Sequence, residues 1–144
     1  MSLWFDLCFE VLARGLGVRF RASGRSMYPA IREGETITVQ PVASSTVKKG
    51  DIILYRWQRG VIAHRVVGVE KFAGDSFRLI MRGDASGAPI ERVAPDQVLG
   101  RVVAVDRNGR RIDLCSIRSK MQRILHPIAS QVKKWTLQKR TPRQ

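Results

Sequence analysis

The sequence has little of what metal, redox and membrane-spanning proteins rely on. Its two cysteines, Cys8 and Cys115, have no CxxC partner, which removes support for a zinc site or a dithiol redox motif. They are expected as separate thiols, with one disulfide between the two ends of the chain as the alternative. The longest apolar-rich run, LWFDLCFEVLA at 3–13, is interrupted by Asp6 and Glu10, well short of the about 20 apolar residues that a spanning helix needs. That run also lacks the positive start and small-residue cleavage site of a secretory signal. The expectation is a cytoplasmic or peripheral membrane protein with neither a transmembrane helix nor a signal peptide. Aromatic residues make up 7% of the chain and form no repeated exposed pattern along the strands, which argues against base stacking.

Acid is also missing, most of all at the end. Lys and Arg number 26 against 12 Asp and Glu, a net charge of +14 that favours an anionic partner, either nucleic acid or a membrane surface. Eight of those fourteen charges follow Asp113, after which no acid occurs. In the same segment Ile117, Met121, Ile124, Leu125, Ile128, Val132 and Trp135 recur at three- or four-residue spacing. That pattern predicts a basic amphipathic helix, kinked at Pro127, with Trp135 placed for a headgroup boundary. Peripheral membrane contact through this helix is therefore favoured over nucleic acid.

The 144 residues are one domain's worth. Asp6, Glu10 and Arg14 form one stripe of a helix over 2–14, with Leu3, Trp4, Leu7, Cys8 and Val11 opposite and Gly15 and Gly17 as the stop. Period-2 alternation predicts a strand at VRFRAS and marks another at GVIAHRVVGVEK, and ETITVQP, DIILYRWQ and SFRLIMRG read as further strands. QVLGRVVAVDRNGRRIDL reads as a hairpin, because Asn108-Gly109 accepts the positive φ of a tight turn. The expected architecture is mainly β: a partly closed antiparallel barrel over 18–114 within a domain of 1–115, followed by the basic helix and tail over 116–144.

Two residues carry the candidate chemistry. GRSMYP at 24–29 is too apolar for an ordinary solvated loop and too punctuated for a strand. A serine hydroxyl there becomes a nucleophile only with a base in hydrogen-bond reach. Of the two histidines, His126 directly precedes Pro127, whereas His64 lies in the alternating strand VIAHRVVGVE, where a polar ring among valines must be hydrogen-bonded or used. A turn serine and a satisfied core histidine are the structural alternatives.

Taken in order, SGRSMYPAIREGETITV, VKKGDIILYR, VIAHRVVGVE, IMRGDAS and DQVLGRV resemble the catalytic domain of type I signal peptidases and the related SOS-repressor autoproteases. The resemblance covers about residues 18–105 and is nearest the histidine-type branch. It implies that Ser26 is the nucleophile, that His64 is the general base, and that Met27 and Pro29 shape the loop beside the substrate. Asp84 matches the Gly-Asp block and is expected to orient His64, with Glu91 or Asp96 as alternative third carboxylates and a turn role as the structural alternative. Gly24 stands where some relatives place a serine that assists the oxyanion, leaving that task to backbone N–H groups, that of Ser26 foremost. The membrane-spanning helix that normally leads into the serine is replaced here by the run at 3–13.

The implied activity is cleavage of an extended precursor or signal peptide after small residues, with pocket walls that include Ile31 and Ile53. No cofactor or metal is implied. Self-cleavage is not expected, because the sole Ala-Gly bond, Ala73-Gly74, lies downstream of the serine. An inactive peptidase fold and a basic β-barrel that binds nucleic acid or membrane are the alternative functions.

Overall fold

The computed structural model describes residues 3–115. The basic helix expected over 116–144 lies outside the described residues. Within them the chain forms α1 (Leu3–Ala13), β1 (Val18–Arg21), β2 (Thr36–Gln40), β3 (Ile52–Trp57), β4 (Gly60–Lys71), β5 (Phe77–Arg82), β6 (Ile90–Val93), β7 (Val98–Arg107) and β8 (Arg110–Asp113). Short 3-10 turns occupy Ser44–Thr46 and Pro95–Gln97. Among the described residues no helix is long and apolar enough to cross a membrane. Cys8 is half-buried and Cys115 exposed, and no disulfide joins them.

Seven strands follow the spatial order β1-β2-β7-β3-β4-β5-β6, and β8 pairs with β7. Every pairing is antiparallel, and the sheet curls into a partly closed barrel, as the alternation of the sequence predicts. Asn108 and Gly109 both take positive φ, 51° and 73°, the geometry of the tight β7–β8 turn. Where β7 crosses between β2 and β3, a Cβ on Gly100 would stand 2.7 Å from the Gln40 carbonyl oxygen and 2.6 Å from the Val39 side chain. Only glycine lets the strands approach so closely there.

Alternation sends side chains into two cores. One gathers Leu12, Met27, Ile31, Ile37, Val39, Ile52, Leu54, Leu99, Val102 and Val105. The other gathers Val47, Ile53, Tyr55, Val66, Leu79, Met81 and Val93. Ile53 pairs with His64, Val66 with Met81, and Met81 with Glu91. The period of two therefore brings Tyr55, His64 and Glu91 to the same face as the second core.

Two elements differ from the sequence expectation. Helix α1 buries Leu12 and turns Phe5 and Cys8 partly inward, while Leu3, Trp4 and Leu7 are exposed. Apolar residues surround most of its circumference, so its polar stripe alone does not define the inward face. Strand β6 is absent from the sequence expectation: its four residues follow Pro89, with Ile90 exposed and Glu91 half-buried, the reverse of binary patterning.

Candidate active site

The loop between β1 and β2 presents Ser26. Hydrogen bonds from Ala22 N–H to the Glu35 carbonyl (2.8 Å) and from Gly34 N–H to the Ala22 carbonyl (2.8 Å) close its neck. Met27 and Ile31 are buried in the first core, and the Ile31 N–H donates to the Met27 carbonyl at 3.0 Å. The apolar character of Ser-Met-Tyr-Pro has this cause: Met27 is an anchor, and it fixes the serine beside it. Gly24 takes φ +88°, and a Cβ there would meet only open space, so its requirement is backbone conformation and not crowding.

The far side of the loop is held by charge. Arg107, at the end of β7, donates to Glu35 at 3.1 Å and to the carbonyls of Pro29 (3.3 Å) and Ala30 (3.4 Å). The Arg107 guanidinium holds the Glu35 carboxyl below its usual range. Arg32 N–H also donates to Glu35, at 2.9 Å.

The near side is held by Gly83 and its neighbours. The Ala85 N–H donates to the Ser26 carbonyl at 2.9 Å. A Cβ on Gly83 would stand 2.5 Å from that same carbonyl oxygen, so the two backbones touch only because residue 83 has no side chain.

Strand β4 delivers His64, 3% exposed, to the serine: its Nε2 lies 3.0 Å from Ser26 Oγ. This falls within the 2.6–3.2 Å reach over which a base can share a hydroxyl proton. On the other edge of the ring, Nδ1 lies 3.1 Å from Glu91 Oε2 and 3.1 Å from the Tyr55 hydroxyl. The Tyr55 hydroxyl donates to the same Oε2. Tyr55 is fully buried, and leaving its hydroxyl unsatisfied would cost about 1–3 kcal/mol. Burial pushes the Tyr55 phenol far above its ordinary range, and its bond to Glu91 adds to the shift.

Asp84 is elsewhere. Both of its oxygens accept from Arg65, Oδ1 from Nε at 2.8 Å and Oδ2 from the second amino group at 2.7 Å. Arg65 also donates to the Gly50 carbonyl at 2.8 Å. The place beside the imidazole that the sequence resemblance assigns to Asp84 is taken by Glu91, one of the two alternatives. The other, Asp96, sits in the turn after β6 and takes no part in the His64 contacts. The reason is register: Glu91 pairs with Met81 on the His64 face, whereas Asp84 follows β5 and meets Arg65, which alternation sends to the opposite face of β4. Sequence reasoning misses Tyr55 altogether. A signal for it exists, since a tyrosine two residues from the partner of His64 on the adjoining strand is a diagonal neighbour.

Beside Ser26 lies a cleft of about 210 Å³, lined by Phe20, Ala22, Gly24, Met27, Ile31, Leu54 and Ala63, with Trp4 and Phe5 of α1 at its margin. Ile31 lines it as expected. Ile53 does not: it is fully buried in the second core, under His64. Pro29 is also outside the lining, with its carbonyl turned to Arg107.

The set of contacts has the parts of nucleophilic acyl transfer: a hydroxyl, an imidazole in contact with it, and a carboxylate on the far ring nitrogen. Residues 17–103, more than half of the chain, match the family model described as Peptidase S24-like. No curated protein matches the chain.

Proposed function

We propose, from the premise that the chain belongs to the Peptidase S24-like family over residues 17–103, that it is a serine endopeptidase with Ser26 as nucleophile and His64 as general base. The observation that carries this reading is the 3.0 Å contact between Ser26 Oγ and His64 Nε2. Ser26 Oγ attacks the scissile carbonyl while Nε2 takes its proton. The imidazolium so formed keeps its Nδ1–H on Glu91, and the negative oxygen of the tetrahedral intermediate is held by backbone N–H groups of the loop, that of Ser26 foremost. His64 then returns the proton to the leaving amine, and water releases the acyl group from Ser26 by the same route in reverse.

The substrate is of signal-peptidase type: an extended segment of precursor cut after small residues. Support comes from the cleft beside Ser26, which is small at about 210 Å³ and has Ile31 and Leu54 among its apolar walls. The decisive trial is hydrolysis of an Ala-x-Ala peptide by the full chain. Ser26→Ala is expected to lower turnover by at least about 10⁴-fold without loss of fold, and equal turnover by wild type and variant would end the proposal.

Contact with a membrane surface is part of the same reading. Leu3 is 89% exposed and Leu7 59% exposed on α1, and the excess of positive charge follows Asp113. Flotation with anionic vesicles is expected. A salt-sensitive gel shift with nucleic acid and no flotation would favour a nucleic-acid-binding module instead.

A further inference from the structure

The peptidase reading uses Ser26, His64 and Glu91, and it leaves unexplained why a tyrosine hydroxyl is buried against two of the three. We infer that Tyr55 is a positioning residue that, together with Glu91, fixes which nitrogen of His64 carries the proton. The inference rests on the peptidase reading for its consequence in catalysis, but not for its physical content.

The three polar atoms form a closed triangle: Tyr55 Oη, Glu91 Oε2 and His64 Nδ1. The phenol has one proton, and in this arrangement it goes to the carboxylate. Both neighbours of Nδ1 then offer it only lone pairs, so Nδ1 must supply a hydrogen. A neutral imidazole has one N–H, so Nε2 is left bare and faces Ser26 Oγ at 3.0 Å. That is the form able to accept the serine proton. If the phenol turned its proton to Nδ1 instead, the ring hydrogen would move to Nε2, and the serine would face a donor in place of a base.

Glu91 alone could accept from Nδ1. Tyr55 adds a second acceptor at Nδ1 and a donor that holds Oε2 in place. The other elements packed around the triangle bring no competing charge: Ile53 from β3, Val66 from β4, Met81 from β5 and Val93 from β6 are apolar. Among the described residues Ser26 is the hydrogen-bond partner on the other ring nitrogen of His64, and Arg65, next to His64 in the chain, is held by Asp84 and the Gly50 carbonyl.

Tyr55→Phe removes one oxygen and almost no volume, so the core is kept. Without the phenol, Oε2 loses the donor that holds it beside Nδ1 and Nδ1 loses one of its two acceptors, so the preference for the Nδ1–H form weakens. The loss of one hydrogen bond to a charged group predicts a fall in kcat of about ten- to a hundredfold, with KM for the Ala-x-Ala peptide unchanged.

The test is nitrogen-15 NMR of the histidine-labelled full chain, which has only His64 and His126 to assign; His126→Gln identifies the second signal. Wild type with its imidazole neutral is expected to show the proton on Nδ1, and Tyr55→Phe to show a mixture with the Nε2–H form. Unchanged tautomer populations in Tyr55→Phe overturn the inference, whether or not kcat falls, because a fall alone would mark a merely structural role. A tautomer shift in a protein whose wild type cleaves no peptide supports the inference and sinks the peptidase reading. Should the variant fail to fold, the wild-type spectrum decides: an Nε2–H imidazole overturns the inference, and an Nδ1–H imidazole that gives way to Nε2–H in Glu91→Gln supports it.

Discussion

Asp84 and Glu91 flank the same connection between β5 and β6, and they meet opposite surroundings. Asp84 is clasped by a guanidinium through two hydrogen bonds, with side-chain exposures of 30% for Arg65 and 19% for Asp84. Glu91 is held by two groups without fixed charge, a phenol and an imidazole, and its side chain is 12% exposed. A carboxylate already neutralised by arginine has little charge left to offer a ring that becomes positive during a reaction. One without a fixed cation has all of it. The difference separates two duties: Asp84 builds the loop that bears Gly83 and Ala85 against Ser26, and Glu91 is placed to act on His64.

That contrast can be broken at either carboxylate. Glu91→Gln exchanges an acceptor for a group that can donate to Nδ1, which favours the wrong tautomer; kcat on an Ala-x-Ala peptide is expected to fall by about 10³–10⁴-fold, with the melting temperature close to wild type. Gly83→Ala attacks the backbone contact instead. No side chain can give way at 2.5 Å from the Ser26 carbonyl oxygen, so the serine must move. A displacement of about 1 Å predicts a loss near 10²-fold, readable as slower peptide hydrolysis.

Asp84→Asn should invert the balance seen at Glu91. Activity is expected to fall only about tenfold, while unfolding by denaturant shows a loss of about 1–3 kcal/mol from the stranded guanidinium. If Asp84→Asn costs more activity than Glu91→Gln, the division of duties is wrong.

The smallest effect belongs to Glu35→Gln on the far side of the loop. Arg107 holds the folded-state carboxyl of Glu35 below its ordinary value of 4.5, so the folded chain keeps this charge at pH values where the unfolded chain has begun to protonate it. Its contribution to stability is complete above the ordinary glutamate range and is lost as pH falls through the lower folded value. The variant should therefore be less stable by about 1 kcal/mol at neutral pH. The gap should close in acid, as followed by denaturant midpoints across pH.

Much of this arrangement is legible in the sequence, and the parts that are not have identifiable physical causes. The buried apolar run of IILYRW marks β3, the alternation of GVIAHRVVGVEK marks β4, and Asn108-Gly109 marks the β7–β8 turn, because in each case local preference and tertiary placement agree. Ser26 and His64 stand out because their blocks resemble a known superfamily. Glu91 is only one alternative among three carboxylates in the sequence, because β6 is short and turns a charge inward while Ile90 faces solvent. Binary patterning fails at the strand where a charged group is placed beside the histidine. The inward face of α1 does not follow from its polar stripe for a different reason, an excess of apolar residues around the helix.

The most direct test of the central claim is intact-mass analysis after exposure to a peptidyl acylating probe. Wild type and Asp84→Asn should each gain one probe on Ser26, Glu91→Gln should gain it far more slowly, and Ser26→Ala should gain none. Equal labelling of Ser26→Ala, or no labelling of wild type, would contradict an activated serine in this site.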